Sequence, residues 1–186
     1  MAKINTVLGP VTPENLGITM CHVHLLSDLK VAEQAKPPST MTPEELKLLH
    51  HPVTTEMLHI IRRHVNDACA IDNNRLEDLD IAIDELRAYK AKGGASMVET
   101  SVIGLSRNPL GLKEIAKGTG INIICGTGFY IGPSHPEMTK NATIEELTIF
   151  MVRELTVGIE DTGICAGFIK AGLSGPSPNE IGRAHV

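Results

Sequence analysis

Two histidines separated by one residue are the first chemistry this chain offers: His22 and His24 flank Val23 inside the apolar run from Ile18 to Leu26. In an extended strand, side chains two positions apart leave the same face. Both imidazoles can therefore address a single divalent cation, and neutral imidazole is a common ligand for zinc and similar ions. The spacing suits a packed or solvated histidine pair equally well. A lysine takes a comparable place near the other end of the chain. Lys170 lies in Ala166-Gly167-Phe168-Ile169-Lys170-Ala171-Gly172, where burial of a lone ammonium is expensive. One outcome is an ammonium at the strand mouth, in water. The other is desolvation, which lowers a lysine pKa and leaves a free amine able to take up carbon dioxide. The product is a carbamate, an anion whose two oxygens can bridge two cations.

The glycines of Cys125-Gly126-Thr127-Gly128-Phe129-Tyr130-Ile131-Gly132 follow a strand-like run and invite comparison with a dinucleotide cradle. The pattern has Ile131 where a glycine is needed, and Pro133-Ser134-His135-Pro136 follows where a helix should open, so the cradle fails on context. A glycine-kinked strand end that presents Tyr130 to a pocket fits these residues better. Glu99 closes a further predicted strand near the same place. It either supports a histidine from behind or faces a helix in a structural role.

These residues need elements to position them. Ile18 to Leu26 reads as a buried strand after a Pro-punctuated entry, Gly9-Pro10 and Thr12-Pro13. Residues 30 to 57 are irregular, with a helix start at Thr42-Pro43-Glu44-Glu45, Pro taking the first helical position. Leu76, Leu79, Ile83 and Leu86 fall at helical spacing, which predicts an amphipathic helix from Leu76 to Lys92 ended by Gly93-Gly94. Ser96 to Ile103 predicts a strand, Asn108 to Lys117 a short helix closed by Gly118, and Ile121 to Gly126 an apolar strand. Thr143 caps a helix running to about Val157, with Glu146 at the capping-box position. Ala166 to Ala171 is the last predicted strand. The order β-α-β-α-β-α-β, with strands that are apolar throughout, implies a parallel sheet covered by helices. An open doubly wound sheet and a (β/α)8 barrel both satisfy it. The polar residues gather at or after strand C-terminal ends, where barrel sites lie, though open sheets share that tendency.

Composition removes several function classes. A net charge of −5 offers no basic patch for nucleic acid, and Arg62-Arg63-His64 reads as a solvated helix face. No run approaches the roughly 18 apolar residues of a membrane span. The start Met1-Ala2-Lys3-Ile4-Asn5 shows no secretory h-region, so the cytoplasm is the expected compartment. Cys21, Cys69, Cys125 and Cys165 are widely spaced without a C-x-x-C, which argues against a zinc knuckle or redox pair. Three of them sit in apolar strand-like runs, where a free thiol acts as a small hydrophobe.

Ile4-Asn5-Thr6-Val7-x-Gly9-Pro10, followed by Gly17-Ile18-Thr19-Met20-x-His22-x-His24, resembles the opening of the phosphotriesterase family. Gly126-Thr127-Gly128-x-Tyr130, Gly158-Ile159-Glu160-Asp161-Thr162-Gly163 and Ala166-Gly167-Phe168-Ile169-Lys170 continue the resemblance in family order. It implies a (β/α)8 TIM barrel of the amidohydrolase superfamily with a binuclear centre of two divalent ions, zinc by expectation. His22 and His24 would bind the more buried ion, and Lys170 matches the lysine whose carbamate bridges both. A metal-bridging hydroxide would attack a small-molecule phosphotriester, lactone or carboxylic ester, with Tyr130 a candidate substrate contact. A homodimer is compatible with the resemblance; nucleic-acid and membrane partners are not expected. Two features depart from the pattern or qualify it. Val23 replaces the usual Glu between the histidines, a position that ligates nothing. Tyr130 resembles lactonase-like members more than classical organophosphate hydrolases.

A barrel of this kind needs about 250 residues and eight strands. The chain is therefore expected to be a truncated, partial barrel of about four βα units over residues 1–180, with 30–75 an insertion forming a lid or pocket wall. The family's two further histidine ligands and its aspartate have no counterpart, and His185 falls in no strand. Ile181-Gly182-Arg183-Ala184-His185-Val186 matches one reading frame of a common sequencing adapter. Homologous sequence is thus expected to end at Glu180, with 181–186 an artefact. The edge strands of such a half-barrel would lack partners and favour self-association. The rival to the enzyme reading is an inactive half-barrel with weak metal binding at most.

Overall fold

The computed structural model describes residues 2–29, 41–48, 51–63 and 71–172. Cys69, His185, the boundary at Glu180 and the tail 181–186 lie outside the described residues, as does much of the 30–75 insertion. The strands are β1 (Ile4–Thr6), β2 (Gly9–Val11), β3 (Ile18–Val23), β4 (Ser27–Asp28), β5 (Arg75–Leu76), β6 (Gly94–Glu99), β7 (Asn122–Phe129) and β8 (Phe168–Ala171). The helices are α1 (Pro43–Lys47), α2 (Leu58–Arg63), α3 (Leu79–Ala91), α4 (Pro109–Thr119) and α5 (Ile144–Thr156).

Four strands form one parallel sheet in the order β3-β6-β7-β8. Parallel neighbours require long crossovers, supplied here by α3, α4 and α5 in turn. The result is half of a (β/α)8 barrel, the architecture that the family resemblance implies; the element order alone also allowed an open sheet. Its main core lies between the sheet and the helices: Met97, Ile123 and Cys125 meet Ala82 and Leu86 of α3 and Leu112, Ile115 and Ala116 of α4. Phe129 packs with Leu147 and Met151 of α5. Burial raises the Cys125 thiol pKa to about 12, so it packs as an inert hydrophobe.

The expectation that every strand is buried on both faces fails at the sheet edge. In β3, Ile18 is 65% and Met20 46% exposed, and Cys21 is exposed too, because β3 pairs on one side only among the described residues. β3 also stops at Val23 rather than Leu26.

Several other boundaries move for local reasons. The helix expected from Leu76 begins at Leu79, because the Asp78 carboxylate accepts from the backbone N–H groups of Asp80 (2.9 Å) and Ile81 (3.0 Å). Arg75 and Leu76 instead pair antiparallel with Asp28 and Ser27, drawing together the two ends of the segment between them. α4 runs through Gly118 to Thr119 and ends on Gly120, which adopts φ +67° and donates to the Ala116 carbonyl at 2.7 Å. β7 extends to Phe129, whereas β8 starts at Phe168 rather than Ala166. The entry segment is a hairpin of β1 and β2 that turn chemistry alone did not announce. Both predicted N-termini hold: Thr42 with Glu45 and Thr143 with Glu146 form reciprocal capping boxes. The Arg62-Arg63 face is not purely solvated, since Arg63 reaches the buried Glu45 carboxylate at 2.6 Å.

One buried ion pair ties the loop after β6 to the helix layer. Arg107, 7% exposed, holds both oxygens of Glu154 at 2.6 Å, and the Thr127 hydroxyl donates to the same carboxylate. Loss of Glu154 would leave the buried Arg107 with the longer 3.4 Å contact to the exposed Glu160 in place of two short bonds. Glu154→Ala is expected to cost about 3–5 kcal/mol of unfolding free energy in urea titrations. The double substitution Arg107→Met with Glu154→Leu, which removes both charges and keeps similar bulk, should cost less. Equal costs would contradict the account.

Candidate functional site

Because the four strands run parallel, their C-terminal ends meet at one edge of the sheet. That edge carries Val23 and His24 after β3, Glu99 to Ser101 after β6, Phe129 and Tyr130 after β7, and Lys170 in β8. The His22 and His24 rings meet edge to face, with centroids 5.6 Å apart. His22 is exposed and His24 half-buried.

His24 is gripped from the β6 side. Its Nδ1 lies 2.9 Å from Ser101 Oγ and its Nε2 lies 3.3 Å from Thr100 Oγ1. Thr100 is itself docked on β3, its N–H (2.9 Å) and hydroxyl (3.1 Å) both donating to the Val23 carbonyl. Burial, then the charge of Lys170 and then that of His22, lowers the His24 pKa. All three influences favour the neutral ring, the state a ligand requires.

Lys170 joins the same group. Its Nζ donates to the Thr100 carbonyl at 2.9 Å and stands 5.5 Å from the centre of the Tyr130 ring. Desolvation lowers the Lys170 pKa, opposed by the charge of Glu99. Half-buried, the amine lies between the two outcomes expected for it. Tyr130 is turned toward this position by the strand end. Gly128, paired with Lys170, adopts φ +113°, a conformation open to glycine and strained for other residues. The Tyr130 N–H then donates to the Ile103 carbonyl at 2.8 Å.

Glu99 is fully buried beneath His24. It accepts from Leu25 N (3.3 Å), Ser101 N (3.1 Å) and the Ser101 hydroxyl (2.6 Å). Burial raises its pKa to about 7 despite the bonds from Ser101 and Leu25 and the charge of Lys170. Of the two roles weighed for Glu99, the contact toward a histidine is present, relayed through Ser101. Thr100 and Ser101 escaped the sequence reading. Their signal was a Glu-Thr-Ser run at the end of an apolar strand, where barrel sites collect polar side chains.

The donor set tests what ion this edge suits. Two imidazoles and a desolvated lysine amine fit part of a divalent-metal site. Among the described residues, no group of three His, Cys, Asp or Glu side chains is placed to complete one.

A model of the phosphotriesterase family matches residues 2–182. The phosphotriesterase-related protein of Nematostella vectensis is 38% identical over 176 residues, covering 92% of this chain and 48% of that protein. N-acetyltaurine hydrolases of Danio rerio and Homo sapiens are 33% and 34% identical, each covering 94% of this chain and 48% of the relative. The crystal structure of a resiniferatoxin-binding protein from Rhodobacter sphaeroides superposes with a TM-score of 0.82 at 32% identity, covering 90% of this chain and 45% of that one. The chain thus spans about half the length of the curated relatives it matches.

The raised Glu99 pKa fixes a pH dependence. A carboxyl that binds its proton more tightly folded than unfolded contributes stability below the unfolded pKa and loses it as pH rises through the folded value. The window runs from 4.5 to about 7. In metal-free protein, the unfolding free energy should fall across this window relative to Glu99→Gln, by a few kcal/mol at about 1.4 kcal/mol per pKa unit. A constant difference between the two proteins would overturn it.

Proposed function

The chain belongs to the phosphotriesterase family, and from that premise we propose that the complete protein is a divalent-metal hydrolase of small molecules. The observation that carries this reading is the convergence of His24 and Lys170 on Thr100, with His22 alongside, at the C-terminal edge of a parallel sheet. Barrel enzymes work at that edge.

In this reading His22 and His24 would hold a divalent cation, zinc by expectation, and Lys170, as its carbamate, would supply a further anionic ligand for a two-cation centre. The lysine chemistry is simple: the neutral amine adds to carbon dioxide and releases a proton, turning a cation into a two-oxygen anion. Partial desolvation of Lys170 favours the neutral amine that this step needs. What the cations supply when bound is Lewis-acid polarisation of the substrate and a more acidic water. Thr100 sets the separation of His24 from Lys170, while Tyr130 lies against the lysine and offers its ring and hydroxyl to the substrate. Water takes the acyl or phosphoryl group, and the leaving group departs with a proton.

Phosphotriesters, lactones and carboxylic esters all present a suitable electrophile. The names of the N-acetyltaurine hydrolases favour a second bond type, the amide of an N-acetylated amine. We assign the protein to the cytoplasm; among the described residues, no helix is long and apolar enough to cross a membrane. For the 186 residues alone, the partial donor set supports weak metal binding without turnover.

The complete polypeptide should hydrolyse at least one of four probes: an N-acetyl amino sulfonate, a γ-lactone, an aryl acetate and an aryl phosphotriester. Chelation should abolish the activity and zinc restore it. His22→Asn or His24→Asn should lower metal content and rate by more than the roughly 10–100-fold typical of residues behind a ligand. Turnover indifferent to chelation and to both substitutions would refute the proposal.

A further inference from the structure

The hydrogen bonds around His24 determine which of its nitrogens carries the proton. A serine hydroxyl has one proton to give. Ser101 Oγ lies 2.6 Å from Glu99 Oε1, the short distance of a hydroxyl donating to a carboxylate. Two backbone N–H groups, Leu25 and Ser101, point at the same carboxylate. Three converging donors suit an ionised, acceptor-only group. With its proton committed to Glu99, Ser101 turns lone pairs toward His24. The 2.9 Å contact between Ser101 Oγ and His24 Nδ1 then needs its proton from the imidazole. At the other nitrogen the Thr100 Oγ1 contact is longer, 3.3 Å, so the 2.9 Å bond to Ser101 decides which nitrogen keeps the proton.

We infer that Glu99 and Ser101 form a positioning relay that holds His24 as its Nδ1–H tautomer, leaving the Nε2 lone pair to bind a divalent cation. Free histidine does not make this choice for itself; the relay imposes it and orients the ring as well. The tautomer stands on the hydrogen bonds alone, whereas its use by a cation rests on the hydrolase reading above. Neither Glu99 nor Ser101 touches the cation or substrate; both act through His24. Outer partners of this kind fix a ligand's tautomer and raise its basicity.

The test uses the 186-residue chain, labelled with 15N-histidine, stripped of metal and held at about pH 8, where ordinary imidazoles and carboxylates are deprotonated. Two-bond proton–nitrogen correlations distinguish the tautomers. The wild-type His24 signal should show a protonated Nδ1 and a bare Nε2. Ser101→Ala should shift His24 toward Nε2–H, and Ser101→Thr, which keeps a hydroxyl, should retain Nδ1–H. Zinc titration should show affinity reduced roughly 10–100-fold in Ser101→Ala and restored in Ser101→Thr. A wild-type His24 protonated at Nε2 overturns the inference without any variant, which covers the case of a variant that fails to fold. An unchanged tautomer in folded Ser101→Ala overturns it too. If the tautomers respond as stated but no form binds zinc, the relay stands and its use by a cation in this chain falls; the hydrolase reading is decided separately, by turnover of the complete polypeptide.

Discussion

A parallel strand cannot return to its neighbour through a tight turn, and that geometric limit organises the whole molecule. Every step from β3 to β6, β7 and β8 needs a helix-bearing crossover on the way back. All four strands therefore finish at one edge, and residues far apart in sequence become neighbours there. His24 and Lys170 meet at Thr100 for this reason. No local propensity at either residue would have brought them together. The helices that allow the return also cover one face of the sheet, and that face is packed, while Ile18, Met20 and Cys21 of the edge strand β3 stay exposed.

Onto this frame the chain places three ionisable side chains, at two sites, that burial alone would disfavour. Arg107 and Glu154 neutralise each other through two bonds, with Thr127 occupying a further lone pair. The pair links the loop after β6 to α5 and so braces one side of the site edge. Glu99 is held differently, by three hydrogen-bond donors. Hydrogen bonding stabilises its charge and desolvation opposes it; the outcome is a carboxyl that titrates near neutrality. The two sites show different solutions to the same problem. One makes a stiff structural tie, while the other leaves a group that responds to pH.

The sequence made the layer order legible because apolar runs and helix caps are local signals. Thr143 with Glu146 and Thr42 with Glu45 were readable for that reason. Boundaries failed where a distant partner decided them. Arg75 and Leu76 fit a helical pattern, yet their pairing with Ser27 and Asp28 and the cap at Asp78 take them out of the helix. β3 looked fully buried because its composition cannot report that one of its sides lies at a sheet edge. At the candidate site, His22, His24, Lys170 and Tyr130 were singled out by residue type and by resemblance to a family. Thr100 and Ser101 were not, since an ordinary hydroxyl gains its meaning only from what lies across the strand. Arg107 and Glu154, 47 residues apart, were hidden for the same reason.

The small ribbon of β4 and β5 has a consequence for how such a protein can change over evolutionary time. By pairing Ser27 and Asp28 with Leu76 and Arg75, it joins the two ends of the intervening segment just beyond His24. The Leu29 N–H adds a further tie to the Asn74 carbonyl at 3.1 Å. The entropy of closing a loop grows only logarithmically with its length. Insertions, deletions or wholesale exchange between these anchors therefore perturb the barrel little, while the histidine pair keeps its place. The ribbon works as a socket, letting lineages exchange the segment it closes without disturbing the sheet edge beside it.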